Sequence, residues 1–167
     1  MMPAARTQTS PPAVRVEVTT AKKVFPHGEP ITFRALLTNV GSSAVYVSKS
    51  FGPAGGGYAG FYVIVEQITG RPAKEGCGSA ADRGMELDSR GPEQILREEY
   101  FPLQPSEFVG YEGRYAGCVA QYPGKYRITV EYSAQDFYQS KVKDLQIGPA
   151  SVLDGVYRSQ PAVFMIR

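Results

Sequence analysis

The sequence predicts an all-β protein, an antiparallel β-sandwich of about 7–9 strands interrupted by two long loop excursions. Three observations carry this prediction: apolar and polar side chains alternate with a period of two in several short segments, Gly and Pro clusters separate those segments, and no stretch sustains a helical period.

The elements follow in chain order. Val14–Thr20 reads VRVEVTT, with Val14, Val16 and Val18 on one face and Arg15, Glu17 and Thr19 on the other, as in a half-buried strand. After the turn FPHGEP comes ITFRALLTN, where Ile31, Phe33, Ala35 and Leu37 share a face. Asn39, Val40, Gly41 and Ser42 suit a reversal, because Asn bonds its own backbone and Gly accepts positive φ. A third strand is expected over residues 44–48. The fourth, residues 61–68, sets Phe61, Val63 and Val65 opposite Tyr62 and Ile64; apolar on both faces, it is expected in the middle of a sheet. Further strands are expected over residues 95–103, 107–111 and 126–132, and after Pro161 the chain closes on AVFMIR. Residues 70–94 and 134–160 form the excursions, residues 1–13 a flexible lead-in, and residues 14–167 one domain.

Composition narrows the function classes. Hydrophobic residues at 43% and charged residues at 20% lie in the globular range. Eighteen Lys and Arg against sixteen Asp and Glu leave a net charge of +2, and the basic residues are scattered, so no nucleic-acid partner is expected. No run approaches the roughly 20 apolar residues of a membrane span. Met1 to Pro12 contains no apolar signal core.

GEPITFRALLTNVGSSAVYV resembles the second and third strands of bacterial immunoglobulin-like domains. LQPSE followed by YPGKYRITVEY resembles a pattern shared by adhesion-module-like domains and the bacterial intracellular proteinase inhibitor family. The matched stretches, residues 28–68 and 103–132, cover about half the chain, and they imply an immunoglobulin-like fold of the fibronectin III kind. Pro123 and Gly124 would turn the chain while Tyr126 enters the sandwich and returns its hydroxyl to nearby backbone, as in a tyrosine corner. Ile128 stands where antibody domains place a Cys and there is no Trp, so the antibody type is excluded, and Ser106 in place of the Gly of the resembled turn departs from the pattern of either family.

Cys77 and Cys118 admit one intrachain pairing. A disulfide is expected, placing the protein outside the cytoplasm and closing a loop of roughly forty residues for about 4 kcal/mol at most. Two free thiols in a reducing compartment are the alternative. Two Cys and one His are too few for a structural zinc site, and Asp82, Glu86 and Asp88 lack the spacing of a calcium loop, so no metal and no cofactor is expected.

His27, the sole imidazole, falls in a turn where solvent exposure is expected rather than catalysis. Glu98 and Glu99, read as neighbours on a strand, would point to opposite faces and form no acid–base pair. FGPAGGGYAGF lacks the Lys-Ser or Lys-Thr of a phosphate loop. Within it Phe51, Gly55, Gly56, Gly57 and Tyr58 read either as a crossing between sheets or as an adaptable tip with an aromatic anchor. The expectation is a non-catalytic, extracytoplasmic recognition or structural module with a protein partner. A protease inhibitor and a carbohydrate-binding module are the alternatives.

Overall fold

The computed structural model describes residues 13–50, 59–71 and 88–167. Among them the chain is predominantly strand: β1 (Val14–Thr20), β2 (Val24–Phe25), β3 (Ile31–Asn39), β4 (Val45–Ser48), β5 (Gly60–Gly70), β6 (Tyr100–Leu103), β7 (Phe108–Tyr115), β8 (Gly124–Ser133), β9 (Ser151–Val152), β10 (Val156–Arg158) and β11 (Ala162–Ile166). Two short α-helices, α1 (Pro92–Glu99) and α2 (Gln139–Val142), and one 3-10 turn at Cys118–Ala120 accompany them.

These strands build three sheets. The first is antiparallel, in the order β1-β3-β7. In the second, β8 pairs with β5 along one side and with β10 and β11 along the other, all antiparallel, while β2 adds in parallel to β11. The third, β6-β4-β9, is smaller and mixed.

Alternation sets which face is wet. Val14, Val16 and Val18 of β1 are buried while Arg15 and Glu17 are exposed, and Ile31, Phe33, Ala35 and Leu37 of β3 repeat the pattern. Tyr126, Ile128, Val130 and Tyr132 of β8 have no solvent exposure. Inward residues of the first two sheets form one apolar cluster. Within it the Tyr111 ring of β7 stacks on Phe61 of β5, their centroids 6.0 Å apart. Close approach favours Gly at 113, since a Cβ there would lie 2.5 Å from the Phe33 ring and the ring would have to shift.

Two turn expectations hold at atomic detail. Asn39 Oδ1 accepts from the Gly41 N–H at 2.9 Å, and its Nδ2 donates to the Ser43 and Leu103 carbonyls, so this fully buried amide fastens the reversal after β3 to the end of β6. Tyr126 Oη donates to the Tyr122 carbonyl at 2.7 Å.

Other expectations are corrected. Residues 95–103 are not one strand: residues up to Glu99 belong to α1, and only Tyr100–Leu103 is extended. Pro92 opens the first turn, where Glu93 suits the helix dipole, and Arg97 suits it in the last turn. Among the described residues β5 pairs only with β8, so it lies at a sheet edge rather than in the middle. Its inward Phe61 and Val65 are buried, whereas Tyr62 and Ile68 are exposed. The second excursion is also more ordered than expected, because it contains α2, β9 and β10. Ile95, Tyr100, Val142 and Val152 form a satellite core beneath α1 and α2, apart from the main one. Among the described residues, no helix is long and apolar enough to cross a membrane.

Candidate functional site

One end of the main sheets carries the satellite core and both shoulders of the glycine-rich segment. On the way in, the Lys49 N–H donates to the Glu99 carbonyl at 2.7 Å, and Lys49 Nζ donates to the Glu98 carbonyl at 2.8 Å. On the way out, Ala59 is buried and Gly60 pairs with Ser133 at the end of β8. The residues that flank the segment are thereby tied to α1 at Lys49 and to β8 at Gly60. Phe51, Gly55, Gly56, Gly57 and Tyr58 themselves lie outside the described residues.

Beside the first shoulder, Arg90 organises a knot of charge. Glu98 and Glu99 stand at the C-terminal end of α1, where the helix dipole disfavours negative charge. Arg90 compensates. Its Nη1 donates to Glu98 Oε2 at 2.7 Å and Glu99 Oε1 at 2.8 Å, while Nε and Nη2 grip the Asp88 carboxylate at 3.0 and 2.6 Å. The guanidinium also lies over the Tyr138 ring, 5.4 Å from its centroid, and Lys141 Nζ donates to the Asp88 carbonyl. Hydrogen bonds from Arg90 hold the Asp88 carboxyl far below the usual carboxylate range and lower that of Glu98. Acids held ionised in this way are poor proton donors, and the group works as a clasp joining the end of the first excursion to both helices.

The expectation that Glu98 and Glu99 point apart is therefore corrected. On a helix terminus, rather than a strand, both reach one guanidinium. Of the other loop acids considered, Asp88 belongs to the clasp, whereas Asp82 and Glu86 lie outside the described residues.

Asp136 forms a second, drier tie. Its Oδ1 accepts from Tyr100 Oη at 2.8 Å and from the N–H groups of Tyr138 and Gln139 at 2.9 and 2.7 Å. It thus caps the turn into α2 and joins that turn to β6. Burial pushes the Asp136 carboxyl up, and it pushes the Tyr100 phenol up as well, with the neighbouring Asp136 charge adding to the shift.

The opposite end of β8 is different. The His27 turn is exposed, and Nε2–H donates to the Gln121 carbonyl at 2.7 Å across a groove of about 390 Å³ that Tyr115 and Tyr122 help to line. The Arg71 guanidinium stacks over Tyr122 at 5.0 Å. Tyr115 and Tyr122 thus sit at this end, while Tyr100 and Tyr138 sit at the other, so these four tyrosines do not form one cluster. Among the described residues, no group of three or more His, Cys, Asp or Glu is placed to hold a metal ion. Cys77 and the Cys118 side chain lie outside the described residues.

Sequence reading missed Arg90 and Asp136, and with Asp136 the bond that ties it to Tyr100. The available signals were Pro92 followed by EQILREE, a helix start with strong helix formers, and Asp136 placed before a short polar turn. No protein-family model and no curated protein sequence matches the chain.

Proposed function

We propose that the chain is a non-catalytic, extracytoplasmic recognition module with an immunoglobulin-like sandwich as its frame, and that residues 51–58 meet a protein partner. The observation that carries the reading is that both flanks of that segment are tied down: Lys49 is bonded to the end of α1, and Gly60 is paired to Ser133. A rigid base beneath a glycine-rich tip is the arrangement by which loops bind without reorganising their scaffold.

The immunoglobulin-like assignment draws support from strand order. One sheet runs β1-β3-β7, while in the other β8 lies between β5 and β11, with β10 also paired to β8 beside β11 and β2 parallel at the far side. These match the A-B-E and C-F-G orders of that fold. The Tyr126 hydroxyl bonded four residues back supplies the corner expected at the start of the F strand.

Two measurements test the reading. In affinity capture with the immobilised protein, Tyr58→Ala should lose a partner that the wild type and Tyr62→Ala both retain; Tyr62 is exposed on β5 and serves as the comparison. Equal capture by all three removes the segment as the contact. Titration of native protein should find no reactive thiol at Cys77 or Cys118, and two reactive thiols would contradict the extracytoplasmic assignment.

A further inference from the structure

Deep beside the Asp136 tie, two polar side chains are buried with no hydrogen-bond partner among the described residues. Tyr132 has no solvent exposure and its Oη has no partner, and Gln139 is 7% exposed with its Nε2 likewise unpaired. A buried donor left unmade costs more than the bond itself is worth, and native interiors rarely tolerate one. Tyr132 is no accident of packing at a frayed end. It is inward on β8, and its ring meets Phe61 edge-on at 5.2 Å.

What lies near these donors is the Asp136 carboxylate. The three bonds that it takes from Tyr100, Tyr138 and Gln139 all end on Oδ1, so Oδ2 receives none of those three, and the Ser48 hydroxyl also faces this carboxyl. The Tyr132 phenol feels the Asp136 charge without bonding to it directly. A polar pair separated by more than a hydrogen bond, in a dry interior, is the setting in which a single bridging water recurs.

We propose that β8 and the turn into α2 enclose an internal hydration site, in which one water accepts from Tyr132 Oη, donates to the Asp136 carboxylate and is within reach of the Gln139 amide. The water completes the junction between the main core and the satellite core. Tyr132 stands on β8 one residue inside the Gly60–Ser133 pair. Neither a metal nor an organic ligand is called for, because one proton acceptor that is also a donor satisfies the phenol and the carboxylate together.

A high-resolution crystal structure of the intact chain, paired with thermal unfolding of Tyr132→Phe, tests this. The expected result is density for one water within about 3 Å of both Tyr132 Oη and an Asp136 oxygen. Alongside it, Tyr132→Phe should lower Tm by about 2–4 °C, since Phe keeps the ring and deletes a satisfied hydroxyl. A Tm that is unchanged or raised would mean that the hydroxyl is truly orphaned and its removal relieves a cost. That result overturns the proposal, as does a structure in which Tyr132 Oη bonds a protein atom directly or no water occupies the junction.

Discussion

Tyr126 and Asp136 do different work with the same kind of bond. The Tyr126 hydroxyl closes a corner by donating to the Tyr122 carbonyl, so Tyr126→Phe should cost about 1 kcal/mol in urea unfolding, the net worth of a typical intramolecular hydrogen bond. No loss would mean that the corner is held by packing alone. Asp136 carries a pH signature. Burial raises its pKa in the folded protein above the unfolded value, so its contribution to stability is complete below the unfolded pKa of about 3.9 and is lost as pH rises through the raised value. Asp136→Asn keeps an oxygen for the same three donors and abolishes that loss. Urea midpoints of the variant should therefore gain on the wild type as pH rises from about 4, and parallel midpoints across pH would contradict the assignment. Gly113→Ala tests close approach: a methyl 2.5 Å from the Phe33 ring should cost about 1–3 kcal/mol in the same unfolding measurement.

At the scale of elements, legibility followed periodicity. β1, β3, β8 and β11 were readable because one face of each is buried and the other wet, a pattern written directly in VRVEV, ITFRALL, YRITVEY and AVFMI. α1 was not readable because only Ile95 is fully buried among its eight residues, so no apolar stripe reveals a period of 3.6. β5 misled for another reason. Exposed Tyr62 and Ile68 imitate the second apolar face of a central strand, although the partner on that side is absent among the described residues. β2, β9 and β10 have two or three residues each, too few to alternate. The Arg90 clasp escaped notice because it depends on a helix terminus that was read as extended chain. It makes its own prediction. The low pKa of Asp88 means that its stabilising effect is present above the unfolded value and lost as pH falls toward the folded one. Hydrogen exchange in α1 and α2 should therefore quicken on acidification in the wild type, relative to the main strands, and should be fast throughout in Arg90→Met; identical exchange in the two proteins would show that the clasp holds nothing.

Over the whole molecule, two sheets that share an interior supply the frame, and the satellite core adds a platform at one end. The candidate site was legible only as a composition, five glycines and two aromatic ends, while the residues that brace it depend on contacts between parts far apart in sequence, such as Lys49 with Glu99 and Gly60 with Ser133. Everything about the frame rests on those sheets meeting face to face. Nuclear Overhauser contacts between aromatic rings measure this most directly. The account predicts cross-peaks between Tyr111 of β7 and Phe61 of β5, whose centroids lie 6.0 Å apart across the core. Rings without such contacts, with Phe61 open to solvent, would contradict it.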